Sequence, residues 1–354
     1  MNNPSNLRLY YTRLLLIGIL GTTLLIGSLS LSNNPAEFEK KFWNRDLLIS
    51  GFTNIRWMVG DRVYSQGLRG KDGWLEYTGD GNIDNYQNAN PASPEDLEKI
   101  GLKIRRLNRQ LQDKNITLLI VVAPNKATIY PDKLADEIQK LGPESYLDQL
   151  GAYLKQNGPN VLLDLRSALQ AGRKTREIYY VTDTHWNGYG AFIGYTSIVQ
   201  TLSKKYPQLK PRTIDEFDIQ TGQGYQHDIP KLMGANNILE PGIVFVPKQD
   251  NVQWSENLTA DTIIPMQIAT TTQSDAPSLL IYADSFGIAI KNLLPQHFSK
   301  TIFIQNSSRS GETLSMQKLD TIKPNIVIIE FVERSVYSGY LDRLLSLLLA
   351  PSQK

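Results

Sequence analysis

An α/β domain built on a mostly parallel sheet is the fold this sequence predicts, and three observations predict it. Continuous apolar runs of strand length recur at residues 116–123, 161–165, 178–181, 279–282, 301–304 and 326–331, and uninterrupted runs of this kind suit strands buried on both faces. Segments with apolar residues at helical spacing lie between most of them, giving the strand–helix alternation of α/β folds. Two of the runs stop abruptly at polar motifs rich in catalytic residue types, Thr182-Asp183-Thr184-His185 and Asp284-Ser285-Phe286-Gly287. Open parallel sheets gather ligands at the carboxyl ends of their strands.

The elements follow in order. Residues 14–31 form an apolar run long enough to span a bilayer as a helix, with Arg8 and Arg13 before it and no basic residue after it until Lys40. The prediction is a cytoplasmic tail (1–13), a transmembrane signal-anchor (14–32) and an exported remainder; a cleavable signal peptide, closed by Ser28, Ser30 and Ser32, is the rival reading and exports the domain equally. Residues 33–90 read as an irregular lead-in, with a turn at Asp72-Gly73 entering a short strand at Trp74-Leu75. The catalytic domain is expected over 91–354. Ser93 caps a helix with Pro94 in its first turn and Leu97, Ile100, Ile104, Leu107 and Leu111 inward. The strand at 116–123 ends at Pro124-Asn125-Lys126. A helix with Leu147, Leu150 and Leu154 inward, the strand at 161–165 and the run 178–181 come next, and Asn187 or Gly188 starts a helix carrying Ala191, Ile193, Ile198 and Leu202. From about 206 to 276 the rhythm stops, and this stretch is expected to be an irregular or β insertion lying on the sheet. It resumes with the runs at 279–282, 301–304 and 326–331, a helical stretch from about Thr313, and a final amphipathic helix containing Leu341, Leu344, Leu345 and Leu348.

Composition removes several function classes. The 37 basic and 35 acidic residues leave a net charge of +2 with no long basic run, so nucleic acid is not an expected partner. Cysteine is absent, which excludes disulfides, thiolate metal ligands and a cysteine nucleophile. Three histidines are too few for a multi-histidine metal centre, and neither a metal nor another cofactor is expected.

The motifs supply the parts of a serine triad: Ser285 as nucleophile, His185 as base and Asp183 to orient it. Taken singly, each has a structural reading as a turn residue, a core histidine or a helix cap. Backbone amides around Phe286 and Gly287, at the start of a helix, are candidates to hold an oxyanion. Trp186 offers a surface for a sugar ring or for core packing. Lys126 points either to solvent or into the site, and Arg309 is either a site contact or a surface arginine. His227 and His297, outside any comparable motif, are read as structural or exposed.

Together with Gly70-Lys71-Asp72-Gly73-Trp74-Leu75, the segment Asn125 to Pro131 and the segment Ile328 to Arg334, these motifs resemble the periplasmic alginate O-acetyltransferase family, SGNH-hydrolase-like enzymes that acetylate exported polysaccharides. The resemblance covers about residues 46–349 in order. It implies an SGNH-hydrolase-like sheet with flanking helices, and a triad whose Asp and His precede Ser, a permuted order that the geometry of a triad tolerates. It also implies a polysaccharide acceptor, an integral-membrane acyltransferase as acetyl donor, and a location at the inner membrane with the catalytic domain in the periplasm. Two departures stand out. Glu330-Phe331-Val332-Glu333-Arg334 replaces the Asn that donates to the oxyanion in SGNH enzymes, and no carbohydrate-binding module, which some members carry, follows the last helix. An acetyl-polysaccharide esterase and a non-catalytic export or scaffold protein remain as alternatives.

Overall fold

The computed structural model describes residues 45–235, 237–256, 266–305 and 316–350, together with Gly18 and Gly21. Apart from Gly18 and Gly21, the expected anchor (14–32) therefore lies outside the described residues, as does Arg309, and among those described no helix is long and apolar enough to cross a membrane. The chain divides into two compact units, Met1–Val59 and Gly60–Lys354. What is described of the first is mainly the helix Arg45–Met58 (α1), with Asp46 in its first turn and Arg56 in its last, each favourable to the helix dipole.

The second unit opens with the antiparallel hairpin Gly67–Arg69 (β1) and Leu75–Tyr77 (β2), followed by the helix Asn82–Gln87 (α2). The lead-in is thus more regular than its composition implies. Its turns fall where Asp72, Asp80 and Asn88 take positive φ, which Asp and Asn tolerate better than most residues. The helix Pro94–Gln112 (α3) is capped by the Ser93 hydroxyl on the Asp96 amide, and the helix Tyr146–Asn157 (α5) by a capping box between Ser145 and Asp148. Between them lie Thr117–Ala123 (β3) and the short helix Lys126–Ile129 (α4). Leu162–Asp164 (β4) and Arg166–Gly172 (α6) precede Gly188–Ser203 (α7), whose first amides are capped by the Asn187 side chain.

Seven strands make the main sheet in the order β4-β3-β11-β9-β10-β8-β7. Leu279–Ala283 (β9) lies at its centre, with Ile326–Val332 (β11) and Lys300–Gln305 (β10) on either side, and every pairing from β4 to β10 is parallel. Period-2 alternation sends successive side chains to opposite faces. Leu119, Val121, Ile281, Ile328 and Phe303 pack with α7, while Leu118, Ile120, Leu280, Ile302, Val327 and Ile329 pack with α3, α5 and the last helix, Tyr340–Leu348 (α12). This is the three-layer α/β arrangement that the apolar runs predict.

Two expectations are corrected. The stretch 206–276 is not one insertion lying on the sheet. Phe217–Tyr225 (β5) and Glu240–Pro247 (β6) form a separate antiparallel ribbon, with Asp228–Met233 (α8) between them, whereas Gln253–Glu256 (β7) and Met266–Thr270 (β8) extend the main sheet antiparallel from β10. The run 178–181 is not a strand: its one β-bridge is Tyr179 with Trp186, and its other backbone bonds go to scattered side chains, to residues 185 and 187 and to the Leu75 amide rather than to a ladder.

His297 tests the packing of the α7 layer. It is buried, and its Nε2 accepts a hydrogen bond from the Tyr195 hydroxyl at 2.6 Å, which in turn accepts from the Arg212 amide at 2.8 Å. Burial, with Arg212 adding to it, lowers its pKa from 6.5 to about 4. The unfolded chain therefore binds this proton more readily between those two values, so the contribution of His297 is present above pH 6.5 and is lost as pH falls toward about 4. At the full shift this amounts to about 3 kcal/mol. Urea denaturation at pH 7 and at pH 4.5 is expected to show the unaltered protein losing on the order of 2 kcal/mol more than His297→Gln, a difference in which other groups cancel. Equal losses in the two proteins would contradict this account.

Candidate active site

Ser285 is exposed just beyond β9, on the central strand of the sheet, at the end where ligands of open α/β folds gather. Its turn is pinned by the preceding residue. Asp284 accepts from the Phe286 amide through Oδ1 at 2.8 Å and from the Val332 amide through Oδ2 at 2.8 Å, which ties the turn to the end of β11. The Gly287 amide donates to the Asp284 carbonyl at 3.2 Å. Gly287 has to be glycine, since a Cβ there would lie 2.3 Å from the Cβ of Ala283 and 2.8 Å from Oε2 of Glu330. Glu330, wholly buried under this turn, has its carboxyl pushed well up by burial and then by the charge of Asp284. Burial also raises the Asp284 carboxyl.

Asp183 and His185 arrive on a loop outside the sheet. Buried Lys126, on α4, donates from Nζ to the carbonyls of Tyr180 (3.3 Å), Val181 (3.2 Å) and Asp183 (2.6 Å). The Glu240 carboxylate accepts from the Val181 amide (2.9 Å), the Thr182 amide (2.8 Å) and the Thr182 hydroxyl (2.6 Å). The Leu75 amide from the hairpin adds a bond to the Val181 carbonyl at 2.9 Å. One ammonium and one carboxylate thus do for this loop what a strand partner does elsewhere. Burial lowers the pKa of Lys126 while Glu76, Asp183 and Glu240 raise it, yet three hydrogen bonds to carbonyls require all three ammonium protons.

The loop and the turn meet in one line of hydrogen bonds. His185 Nε2 lies 2.7 Å from Ser285 Oγ, and His185 Nδ1 lies 2.6 Å from Asp183 Oδ1. The other carboxylate oxygen, Oδ2, lies 2.7 Å from Nδ1 of His227. Burial alone raises the Asp183 carboxyl, but the bonds from His185 and His227 outweigh it and hold the group far below the ordinary carboxylate range. Phe286 is buried with its ring 4.8 Å from that of His185, which fixes the imidazole from the side. Beside Ser285 and His185 opens a cavity of about 500 Å³, walled by Tyr225, Ile243 and Val244 of the ribbon and by Ile288, Ala289, Asn292 and Leu293 after the nucleophile.

Other residues singled out by sequence are placed differently. Trp186 is buried, its Nε1 donating to the Phe286 carbonyl at 3.1 Å, so it packs the Ser285 turn from within while lining the inner wall of the cavity. Lys126 points neither to solvent nor into the cavity; it holds the loop from beneath. The Phe286 and Gly287 amides are engaged inside the turn, which removes them as ready oxyanion donors. His227, read from sequence as structural or exposed, shares the aspartate of His185, and nothing local in Gln226-His227-Asp228 marks it. Asp228 adds a second carboxylate, 3.5 Å from His185 Nδ1. Asp183, His185 and Asp228 are near enough to share an ion, but each His185 nitrogen already has a partner, so a metal ligated there displaces one of them.

Comparison with known proteins gives three findings. Residues 68–261 match the family described as "SGNH hydrolase-like domain, acetyltransferase AlgX", a span that includes Asp183, His185 and His227 and stops short of Ser285. A protein of Pseudomonas syringae named "Probable alginate O-acetylase AlgJ" is 23% identical over 305 residues, covering 80% of this chain and 73% of its own. Among solved structures, Bacillus cereus PatB1 superimposes with a TM-score of 0.55 at 18% identity (75% of this chain, 95% of its own), and a DHHW family protein of Eubacterium siraeum with 0.56 at 16% identity (82% and 100%). At these identities the structural matches speak to fold alone.

Replacing Lys126 by methionine keeps the length of the side chain and strands the Tyr180 and Asp183 carbonyls, the Val181 carbonyl keeping its bond from the Leu75 amide. Chemical denaturation is expected to show a loss of about 3 kcal/mol, the range seen when one partner of a buried charged network is removed. A loss under about 1 kcal/mol would show that the loop does not depend on the ammonium.

Proposed function

The chain belongs to the SGNH hydrolase-like acetyltransferase family, and from this premise we propose that it is an O-acetyltransferase acting on hydroxyls of an exported polysaccharide through an acetyl-Ser285 intermediate. The observation that carries the reading is the continuous contact Ser285 Oγ to His185 Nε2 at 2.7 Å and His185 Nδ1 to Asp183 Oδ1 at 2.6 Å.

The chemistry follows from the atoms. Asp183, ionised, accepts from Nδ1–H of His185 and so leaves Nε2 as the free base facing Ser285. Nε2 takes the serine proton as Oγ attacks the acetyl carbonyl, then returns it to the departing oxygen of the donor, leaving acetyl-serine. In the second half an acceptor hydroxyl loses its proton to Nε2, attacks the acetyl group, and Ser285 is released with that proton. With the Phe286 and Gly287 amides engaged, the Ser285 amide, free of hydrogen bonds among the described residues, is the donor the turn itself offers to the oxyanion. Water competes with the sugar at the second step, so transfer requires that the acceptor fill the cavity beside Ser285.

The relatives named for alginate acetylation support a polysaccharide acceptor. The apolar run at 14–31 supports a single inner-membrane anchor with the catalytic domain in the periplasm, where cytoplasmic acetyl-coenzyme A is out of reach. An integral-membrane acyltransferase then delivers the acetyl group, and anchoring raises the effective concentration of the two proteins beside each other.

With the full chain and an artificial acetyl ester, Ser285→Ala is expected to remove nearly all turnover, and Asp183→Asn to cost roughly 10⁴ in rate, as in the serine-protease precedent where the histidine tautomer is lost. Near-normal rates in folded Ser285→Ala protein would sink the triad. Mass spectrometry of an oligosaccharide incubated with enzyme and donor is expected to find products heavier by an acetyl group. Release of acetate with no acetylated sugar would instead favour an esterase.

A further inference from the structure

His227 touches no part of the cavity, yet it takes the second oxygen of the triad aspartate. Its Nδ1 lies 2.7 Å from Asp183 Oδ2 and its Nε2 lies 3.0 Å from the Glu240 carbonyl oxygen. Both partners are acceptors. The Glu240 carbonyl has no proton to offer, and Asp183 is held in its ionised form. A neutral imidazole has one N–H, so it satisfies one of these contacts and turns a lone pair on the other oxygen. Only the doubly protonated ring donates to both.

The surroundings favour the same state. Tyr225 stacks on His227 with ring centroids 4.1 Å apart and an interplanar angle of 27°, and Tyr180 packs on it at 4.5 Å and 42°. Aromatic faces attract a cation, all the more where water is excluded. Complete burial opposes the charge, since His227 is only 1% exposed. A charge-assisted bond at 2.7 Å to a carboxylate is the interaction that offsets such a cost. The other charged groups around it are Asp228 next in the chain, whose amide lies 3.4 Å from Asp183 Oδ2, the Glu240 carboxylate, committed to the Val181 and Thr182 amides, and Lys126 on the Asp183 carbonyl.

We propose that His227 is a buried imidazolium and a positioning residue of the reaction: it orients Asp183 from the side opposite His185 and offsets its charge, so that His185 remains an unprotonated base to lower pH. The part concerning catalysis rests on the triad reading given above; the part concerning the charge of His227 does not. Without the imidazolium, the whole negative charge of Asp183 acts on His185 and draws a proton onto Nε2, the form unable to accept from Ser285.

Two measurements test this. The protein has three histidines, His185, His227 and His297, so a two-bond proton–nitrogen correlation spectrum of the full chain labelled with ¹⁵N-histidine resolves each ring. The expected result at about pH 7 is one ring with both nitrogens in the imidazolium state, absent from the spectrum of His227→Gln and retained in those of His185→Gln and His297→Gln. A neutral His227 ring overturns the proposal, whether or not the enzyme turns over any ester and whether or not His227→Gln folds. In the kinetics of acetyl-ester cleavage, folded His227→Gln is expected to move the acidic limb of kcat/KM upward by about one pH unit. A variant that is slower at every pH with the limb unmoved shows a structural role only, and overturns the coupling to His185.

Discussion

The candidate site depends on a loop that has no strand to hold it. Residues 180–183 carry Asp183, the aspartate of the candidate triad, and their backbone is held chiefly by one ammonium from below, Lys126, and one carboxylate from the side, Glu240. Burying unpaired amides and carbonyls costs several kcal/mol, so the loop is stable only with both groups in place. These two residues come from different layers. Lys126 starts the short helix after the strand β3, and Glu240 opens the ribbon strand β6. The position of Asp183 is therefore fixed by tertiary structure rather than by local chain preference.

The nucleophile side is built on the opposite plan. Ser285 follows the central strand directly, and its turn is closed by Asp284 on two amides over buried Glu330. A rigid strand end thus presents the serine, and the suspended loop brings the imidazole to it. Trp186 joins the two halves, since it belongs to the loop but bonds the carbonyl of Phe286 in the turn. Phe286 completes the join with its ring against His185.

Much of this was legible in the sequence, and what was not has a physical cause. The parallel strands are legible as apolar runs because both of their faces are buried, and α3 and α5 because their apolar residues recur at helical spacing, α3 behind the Ser93 cap. Asp183, His185 and Ser285 were legible as residue types beside breaks in such runs, which is where the structure places Ser285 and only approximately where it places the other two. The run 178–181 looked like a strand since Ile178 and Tyr179 are core residues, and apolar burial alone does not distinguish a strand from a clamped loop. For Trp186 the sequence left core packing and a sugar surface equally open, and for Lys126 it did not show the role beneath the loop, because their hydrogen bonds reach partners about a hundred and about fifty residues away. His227 left no local signal at all; its partner is forty-four positions earlier in the chain.

Electrostatics then explains why so many ionisable groups are tolerated in this small volume. Lys126 and Asp183 are buried, with Glu240 committed to the loop and Glu76 wholly buried nearby. Burial raises the Glu76 carboxyl, while the bonds that Lys126, Asp183 and Glu240 make require their charges. Around the loop, Lys126 faces the two carboxylates of Asp183 and Glu240, one cation against two anions, an arrangement a low-dielectric interior resists. A cationic His227 balances it, and does so on the ribbon, whose residues Tyr225, Ile243 and Val244 also wall the cavity. The ribbon that walls the cavity is thus joined directly to the histidine that contacts Asp183. A displacement of the ribbon by a ligand in the cavity would be felt at Asp183 through two charged contacts, His227 to Asp183 and Glu240 to the loop, rather than through loose packing.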